Sequence, residues 1–361
     1  VWESNDPIQA KVSTLHHRKC VEQGVEFTPA EKAQLANYAA KNAKILVRMA
    51  ELAKRGDCWF EYDYETTAIP AVLMPHISEV IPDARRAATA DVLMAIDSGD
   101  GAVFRTSLAR YFDLPECLRN EPFLVSQLTR GSWIDRGVSL IEFRSQRSPL
   151  APDLAIAVAE RLAEIEKAFR LEPTVLKERA ALHTTICNLQ DPDNIVFVAY
   201  SISESKSGVI SPNNSSWWES IFYATPEKRQ IARWNSLVMR PQLLNQRAIA
   251  LELMKQQSQI IDVPGPQAAN ELASLAQMPF DREDEMPLLP ILLNDLVLCR
   301  ERVMATRQRL QSASLLLKLL PAAESEVAGA DEVFSLIKGT IADAPAGYFS
   351  GKPLEYKIEG S

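Results

Sequence analysis

The chain is 361 residues long and 47% hydrophobic, enough apolar material for one large core or two ordinary ones, which excludes a disordered polymer. Its formal net charge is −8, and Arg105, Arg110, Arg119 and Arg130 are interleaved with acids, so a nucleic-acid partner, which needs a basic footprint, is not expected. Five cysteines (Cys20, Cys58, Cys117, Cys187, Cys299), odd in number and without a CxxC pair, make neither a disulfide framework nor a zinc site.

Only 13 glycines occur, and Ala, Leu, Glu, Arg and Gln recur, a composition that favours helix. The first helix opens at Thr28-Pro29-Ala30-Glu31, with Thr28 suited to the N-cap, Pro29 to the first helical position and Glu31 to a capping box. Its apolar stripe runs Leu35, Tyr38, Ile45, Met49 and Leu52, interrupted by Asn42, and Gly56-Asp57 ends it. Cys58 to Thr67 carries Trp59, Phe60, Tyr62 and Tyr64 and reads as a loop packed by its aromatics.

Pro82-Asp83 starts a helix that reaches about Asp97, and Gly99-Asp100 separates it from a second over about Ala102 to Phe112, as in a helical hairpin. A longer helix follows from Pro122 to about Phe143, with Leu124, Leu128, Ile134 and Leu140 apolar. Pro152-Asp153 begins another, whose buried side is Ala155, Val158, Leu162, Ile165 and Phe169 and whose wet face carries Glu160, Glu164 and Lys167.

Helical character fades from Asp191 to Ser216. Ile195 to Tyr200 is β-branched and aromatic and reads as a strand or buried extended segment, and Ser203 to Ser216 as a surface loop. Helix resumes from Pro226, breaks at Pro241 and continues through Leu244, Ala248, Leu251 and Met254 to about Gln259. Val263-Pro264-Gly265-Pro266 is a stop followed by a start. The longest regular stripe, Leu292, Leu296, Cys299, Val303, Thr306, Leu310, Ala313 and Leu317, predicts a central helix packed against several others. No 34-residue period holds, so regular tetratricopeptide repeats are not supported.

The expected organisation is an N-terminal helical part over 1–190, an irregular insertion over 191–225 and a C-terminal helical part with a tail over 226–361, in one continuous unit. The expected fold class is all-α, an irregular stack of antiparallel helical hairpins with a short C-terminal β-strand. That strand is Leu354 to Ile358, where the apolar period switches from helical spacing to two.

Chemistry is sparse. His16-His17-Arg18-Lys19-Cys20 lacks the second ligand pair a zinc site uses, and Glu178 and His183, five apart, fall on different helix faces. Glu61, Asp63 and Glu65 have no DxDxDG context for calcium. No GxSxG, GxxxxGK, GxGxxG or HExxH pattern occurs, so no catalytic, cofactor or metal residues are assigned and no cofactor is expected. Trp217, Trp218, Phe222 and Tyr223 form the densest aromatic patch, a core anchor at a helix start or an interaction surface. Asn214-Ser215-Ser216 matches a glycosylation acceptor.

The tail Phe349-Ser350-Gly351-Lys352-Pro353-Leu354-Glu355-Tyr356-Lys357 resembles the ending Asp-Pro-Phe-Ser-Gly-Lys-Pro-Leu-x-Tyr-Arg of a group of uncharacterised helical proteins of planctomycetes and related bacteria. Gly347-Tyr348 stands in place of Asp-Pro. The helix from Arg307 to Leu320 and a short one around Val333 to Ile337 fit the same layout. The resemblance implies an envelope protein, extracytoplasmic and anchored by an N-terminal membrane segment preceding Val1; a cytoplasmic location is the alternative. It brings no catalytic residues with it. The leading expectation is therefore a binding or scaffold body with a protein or small-molecule partner. The rivals are a hydrolase or metal-dependent enzyme with a dispersed site, and a lipid or small-molecule carrier.

Overall fold

A computed structural model describes residues 12, 27–55, 80–188, 245–281, 296–323 and 347–350. Of these, 87% are helical and none lies in a strand, which bears out the all-α class. The aromatic loop 58–67, the insertion 191–225 with Trp217, Trp218, Phe222 and Tyr223, the clustered histidines, the short helix 333–337 and the tail strand 354–358 lie outside the described residues. So do Gly351, Lys352, Pro353, Leu354 and Tyr356 of the signature tail.

Helix α1 (Pro29–Lys54) begins with the expected capping box: the Thr28 hydroxyl accepts from the Glu31 N–H at 3.2 Å and the Glu31 carboxylate accepts from the Thr28 N–H at 2.8 Å. Its buried side is Leu35, Tyr38, Asn42, Leu46, Ala50 and Ala53, rotated from the expected stripe. Asn42 is part of that side because its side-chain amide donates to the Tyr38 carbonyl at 2.9 Å, while Leu52 is exposed.

Helices α2 (Ile81–Ser98) and α3 (Gly101–Asp113) pack against each other across a two-residue joint. Gly99 ends α2 at φ 72°, a left-handed conformation that costs glycine nothing. Asp100 then caps α3, its Oδ1 accepting from the Ala102 and Val103 N–H groups at 2.8 and 3.1 Å. A 3-10 turn (Leu114–Leu118) follows directly and leads to α4 (Leu124–Arg147).

In α4, Gly137 makes room for Phe112: a Cβ there would lie 2.6 Å from two atoms of that ring. Tyr111 and Trp133 stack edge to face beside it, with centroids 5.8 Å apart. Helix α5 (Pro152–Ala168) buries Ala155, Val158, Leu162, Ile165 and then Phe169, all five residues of the expected stripe, and leaves Glu160, Glu164 and Lys167 exposed.

Helix α6 (Glu172–Asn188) follows α5 after a break that the sequence reading does not mark, although Pro173 stands in its first turn. Its first amides are satisfied from afar: Asp262 accepts from Leu171 N–H at 3.0 and 3.1 Å and from Glu172 N–H at 2.8 Å. Helical stretch α7 covers 245–260, with Ala250, Leu253, Met254 and Gln257 buried and Ala248 exposed, again one step round from the expected stripe. Gly265, at φ 101°, separates it from α8 (Pro266–Asp281).

Helix α9 (Leu296–Ala323) is the central helix that its stripe predicts: it packs most extensively on α5, then on α4, and also meets α8. Leu310 and Leu317 enter one apolar cluster with α1 to α5, whereas Leu296, Cys299 and Val303 enter a second with α6 and α7. Polar contacts fix its register on α4 and α5. Thr306 donates to Asp135 Oδ2 at 2.8 Å, Arg309 reaches Ser139 and Glu142, and Ser314 donates to the Ala159 carbonyl at 2.8 Å.

Candidate functional site

The 3-10 turn shapes a polar cleft. Pro115 cannot donate the next helical hydrogen bond, so the chain tightens, burying Leu114, Pro115, Cys117 and Leu118. Glu116 and Arg119 are thereby turned toward the end of α1 and the middle of α5. Together with Lys54, Asp113, Asn120 and Arg161 they line a cleft of about 490 Å³. A second, more apolar cleft of about 460 Å³ adjoins it between α1 and α3, sharing Lys54 and Asp113 and flanked by Val47, Ala50 and Ala109.

Two carboxylates organise the polar cleft. Asp113 is held by Lys54 Nζ at 3.2 Å through one oxygen and by Arg161 Nη2 at 3.1 Å through the other. Glu116 takes Arg130 Nη2 at 2.8 Å and faces Arg119 Nη1 at 3.9 Å. Arg130 is wholly buried and lies over the Phe169 ring, its guanidinium carbon 5.0 Å from the centroid, so burial pulls its pKa down while Glu116 pulls it back. Lys177 of α6 donates to the Asn120 carbonyl at 2.9 Å and pins the cleft's edge.

The chain matches no protein-family model, no curated protein and no solved structure. The site therefore stands on its own geometry.

Tyr348, the residue immediately before the signature tail, is a docking point. Tyr348 is buried while Phe349 and Ser350 are exposed. The Tyr348 hydroxyl donates to Glu166 Oε1, which also accepts from Arg307 Nε at 3.2 Å and Nη2 at 3.0 Å. The tyrosine backbone is held on both sides: its N–H donates to Gln308 Oε1 and its carbonyl accepts from Gly265 N–H, each at 2.9 Å. Burial, then the bond to Glu166, pushes the phenol up to about 12, so it remains a donor. Arg307 reaches on to Asp262 at 3.7 Å, beyond hydrogen-bond range but within an ion pair.

Two residues weighed in the sequence, Glu178 and His183, both lie on α6 and are not brought together. Glu178 accepts a long 3.5 Å bond from Leu124 N–H, and burial pushes its carboxyl up to about 7, although part of its surface stays accessible. The neighbouring cations turn elsewhere, Lys177 to Asn120 and Arg179 to the Leu251 carbonyl at 2.8 Å. His183 instead sits one turn before Cys187, Nε2 3.9 Å from Sγ, and Arg247 Nη1 approaches the same sulfur at 3.4 Å. The sequence set Glu178 and His183 on different helix faces, in keeping with their separate contacts; what it did not weigh was Cys187, for which the i,i+4 spacing was the available signal. Cys187 is a free thiol, and Cys117 and Cys299 are buried. Among the described residues no group of three or more His, Cys, Asp or Glu side chains is arranged to hold a metal.

Proposed function

We propose that this chain is a helical binding or scaffold body of a cell envelope, an irregular stack of antiparallel hairpins that meets its partner through the cleft between α1, the 3-10 turn and α5. The observation that carries this reading is the state of the cleft's two carboxylates. Asp113 and Glu116 are each neutralised by two cations, which makes them props for a shaped surface rather than proton-transfer groups. The tail's resemblance supports the extracytoplasmic placement and the N-terminal anchor; the alternation at 354–358 supports a closing strand.

A second reading, a thiol-dependent hydrolase, is favoured by one observation, the approach of His183 and Arg247 to Cys187. The two readings separate in one experiment. Purified protein is offered chromogenic esters, peptides and phosphomonoesters, beside Cys187→Ser. The binding reading expects no turnover above the variant; turnover abolished by Cys187→Ser would replace it with the hydrolase. Protease shaving of intact cells then checks the compartment, with protection from external protease counting against an outward-facing body.

A further inference from the structure

Resting on the binding reading above, we propose that the polar cleft is an oxyanion site, which takes the phosphate or carboxylate group of its ligand between Lys54, Arg119 and Arg161. The argument is one of depth. The two carboxylates are recessed, with side-chain exposures of 12% for Asp113 and 17% for Glu116, whereas Lys54, Arg119 and Arg161 expose 66%, 55% and 36%. An incoming group therefore meets ammonium and guanidinium before Asp113 and Glu116, which act behind them as braces, while the exposed Glu164 flanks Arg161 outside the cleft lining. This local sign opposes the chain's net charge of −8, so general electrostatics do not account for it.

The braces also preorganise the donors. Arg161 is held by Asp113 through Nη2 and by Glu164 through Nη1, each at 3.1 Å, which fixes the plane of its fork. Lys54 is anchored through the same Asp113 that orients Arg161, so the two cations are held on one carboxylate. Arg119 is the loosest, 3.9 Å from Glu116, and is placed to close on a ligand. Planar guanidinium groups beside an ammonium suit the several acceptor oxygens of a phosphate or carboxylate. A cleft of about 490 Å³ admits such a group with part of the molecule that carries it.

The test titrates the intact protein at low ionic strength with inorganic phosphate by calorimetry, and by co-sedimentation with phosphatidylglycerol or phosphatidylcholine vesicles. Saturable phosphate binding is expected, about tenfold weaker or more in the Lys54→Gln/Arg119→Gln double variant, the loss that one or two charge-assisted hydrogen bonds imply. Arg48→Gln, an exposed cation paired with Glu51 outside the cleft, should bind as the parent does. Arg161→Lys, which keeps the charge and loses the fork, provides a second test if the double variant is unstable, and should also weaken binding.

Sedimentation with the anionic vesicles alone, lost in the double variant, would support the oxyanion chemistry and identify a lipid headgroup as its source. Failure of both probes, or equal weakening by Arg48→Gln, would overturn the site. Failure of both probes without catalytic turnover rejects the oxyanion and leaves the binding body standing; turnover that requires Cys187 rejects the binding body itself.

Discussion

The guanidinium carbon of Arg307 lies 4.2 Å from the centre of the Tyr348 ring, while the same guanidinium and the tyrosine hydroxyl share one oxygen of Glu166. Three stretches far apart in the chain, α5, α9 and the tail, thus meet on one carboxylate. Removing the hydroxyl with Tyr348→Phe keeps the ring under the cation and should cost about 1–2 kcal/mol. Arg307→Ala leaves Glu166 and Asp262 without their shared cation and should cost about 3–5 kcal/mol. Urea denaturation of both variants checks the order; equal losses would mean that the cation contributes nothing beyond the hydroxyl's bond.

Asp262 should matter to the start of α6 although it lies outside that helix. Asp262→Ala deprives the Leu171 and Glu172 amides of their acceptor and should destabilise the protein by about 1–2 kcal/mol, as loss of an N-cap does. Amide exchange at those two positions should accelerate more than at Leu182, deep in the same helix. Uniform acceleration along α6 would argue against a capping role.

Glu178 makes stability depend on pH with a definite sign. Its carboxyl titrates near 7 when folded, against an ordinary 4.5, so between those values the folded protein binds the extra proton. This contribution therefore falls as pH rises from about 4.5 to about 7, by a few kcal/mol at most. Glu178→Gln, whose amide carbonyl can still accept from Leu124, should be more stable than the parent at pH 8 and similar to it at pH 4.5. Thermal melts at the two pH values read the difference directly, and a variant without a gain at pH 8 would show that the carboxylate finds adequate solvation there.

The two glycines of α4 should differ in tolerance. A Cβ at Gly137 would sit 2.6 Å from the Phe112 ring, and one at Gly131 would sit 3.1 Å from Phe169 Cζ. Gly137→Ala should cost about 1–3 kcal/mol through overpacking, outweighing the helix propensity gained. Gly131→Ala should be milder or neutral, because the approach is longer. Chemical denaturation of both decides it, and the reverse ranking would mean that Phe112 repacks at little cost.

What the sequence made legible was local. The Thr28 capping box, the Gly99-Asp100 joint, the α5 stripe and the central α9 all depend on side chains within a few positions of one another. Errors arose where a distant or polar partner decided the outcome. Asn42 seemed to interrupt α1 and is in fact buried, because the Tyr38 carbonyl satisfies it. The start of α6 escaped notice because its capping carboxylate is 91 residues away. The polar cleft was invisible for a related reason: Lys54, Asp113, Arg119 and Arg161 come from separate stretches, and only packing tells which cation stands in front of which acid. Tyr348, which stands where the resembling tails have Asp-Pro, became informative only once its ring and hydroxyl had partners.

The remote cap also constrains how the molecule is made. A ribosome delivers Leu171 and Glu172 long before it delivers Asp262, so for that interval the first turn of the helix has nowhere to place its amides but water. Truncated nascent chains that stop short of residue 262 should therefore carry a frayed α6, and its tightening would mark the moment when the later part of the chain folds back onto the earlier one.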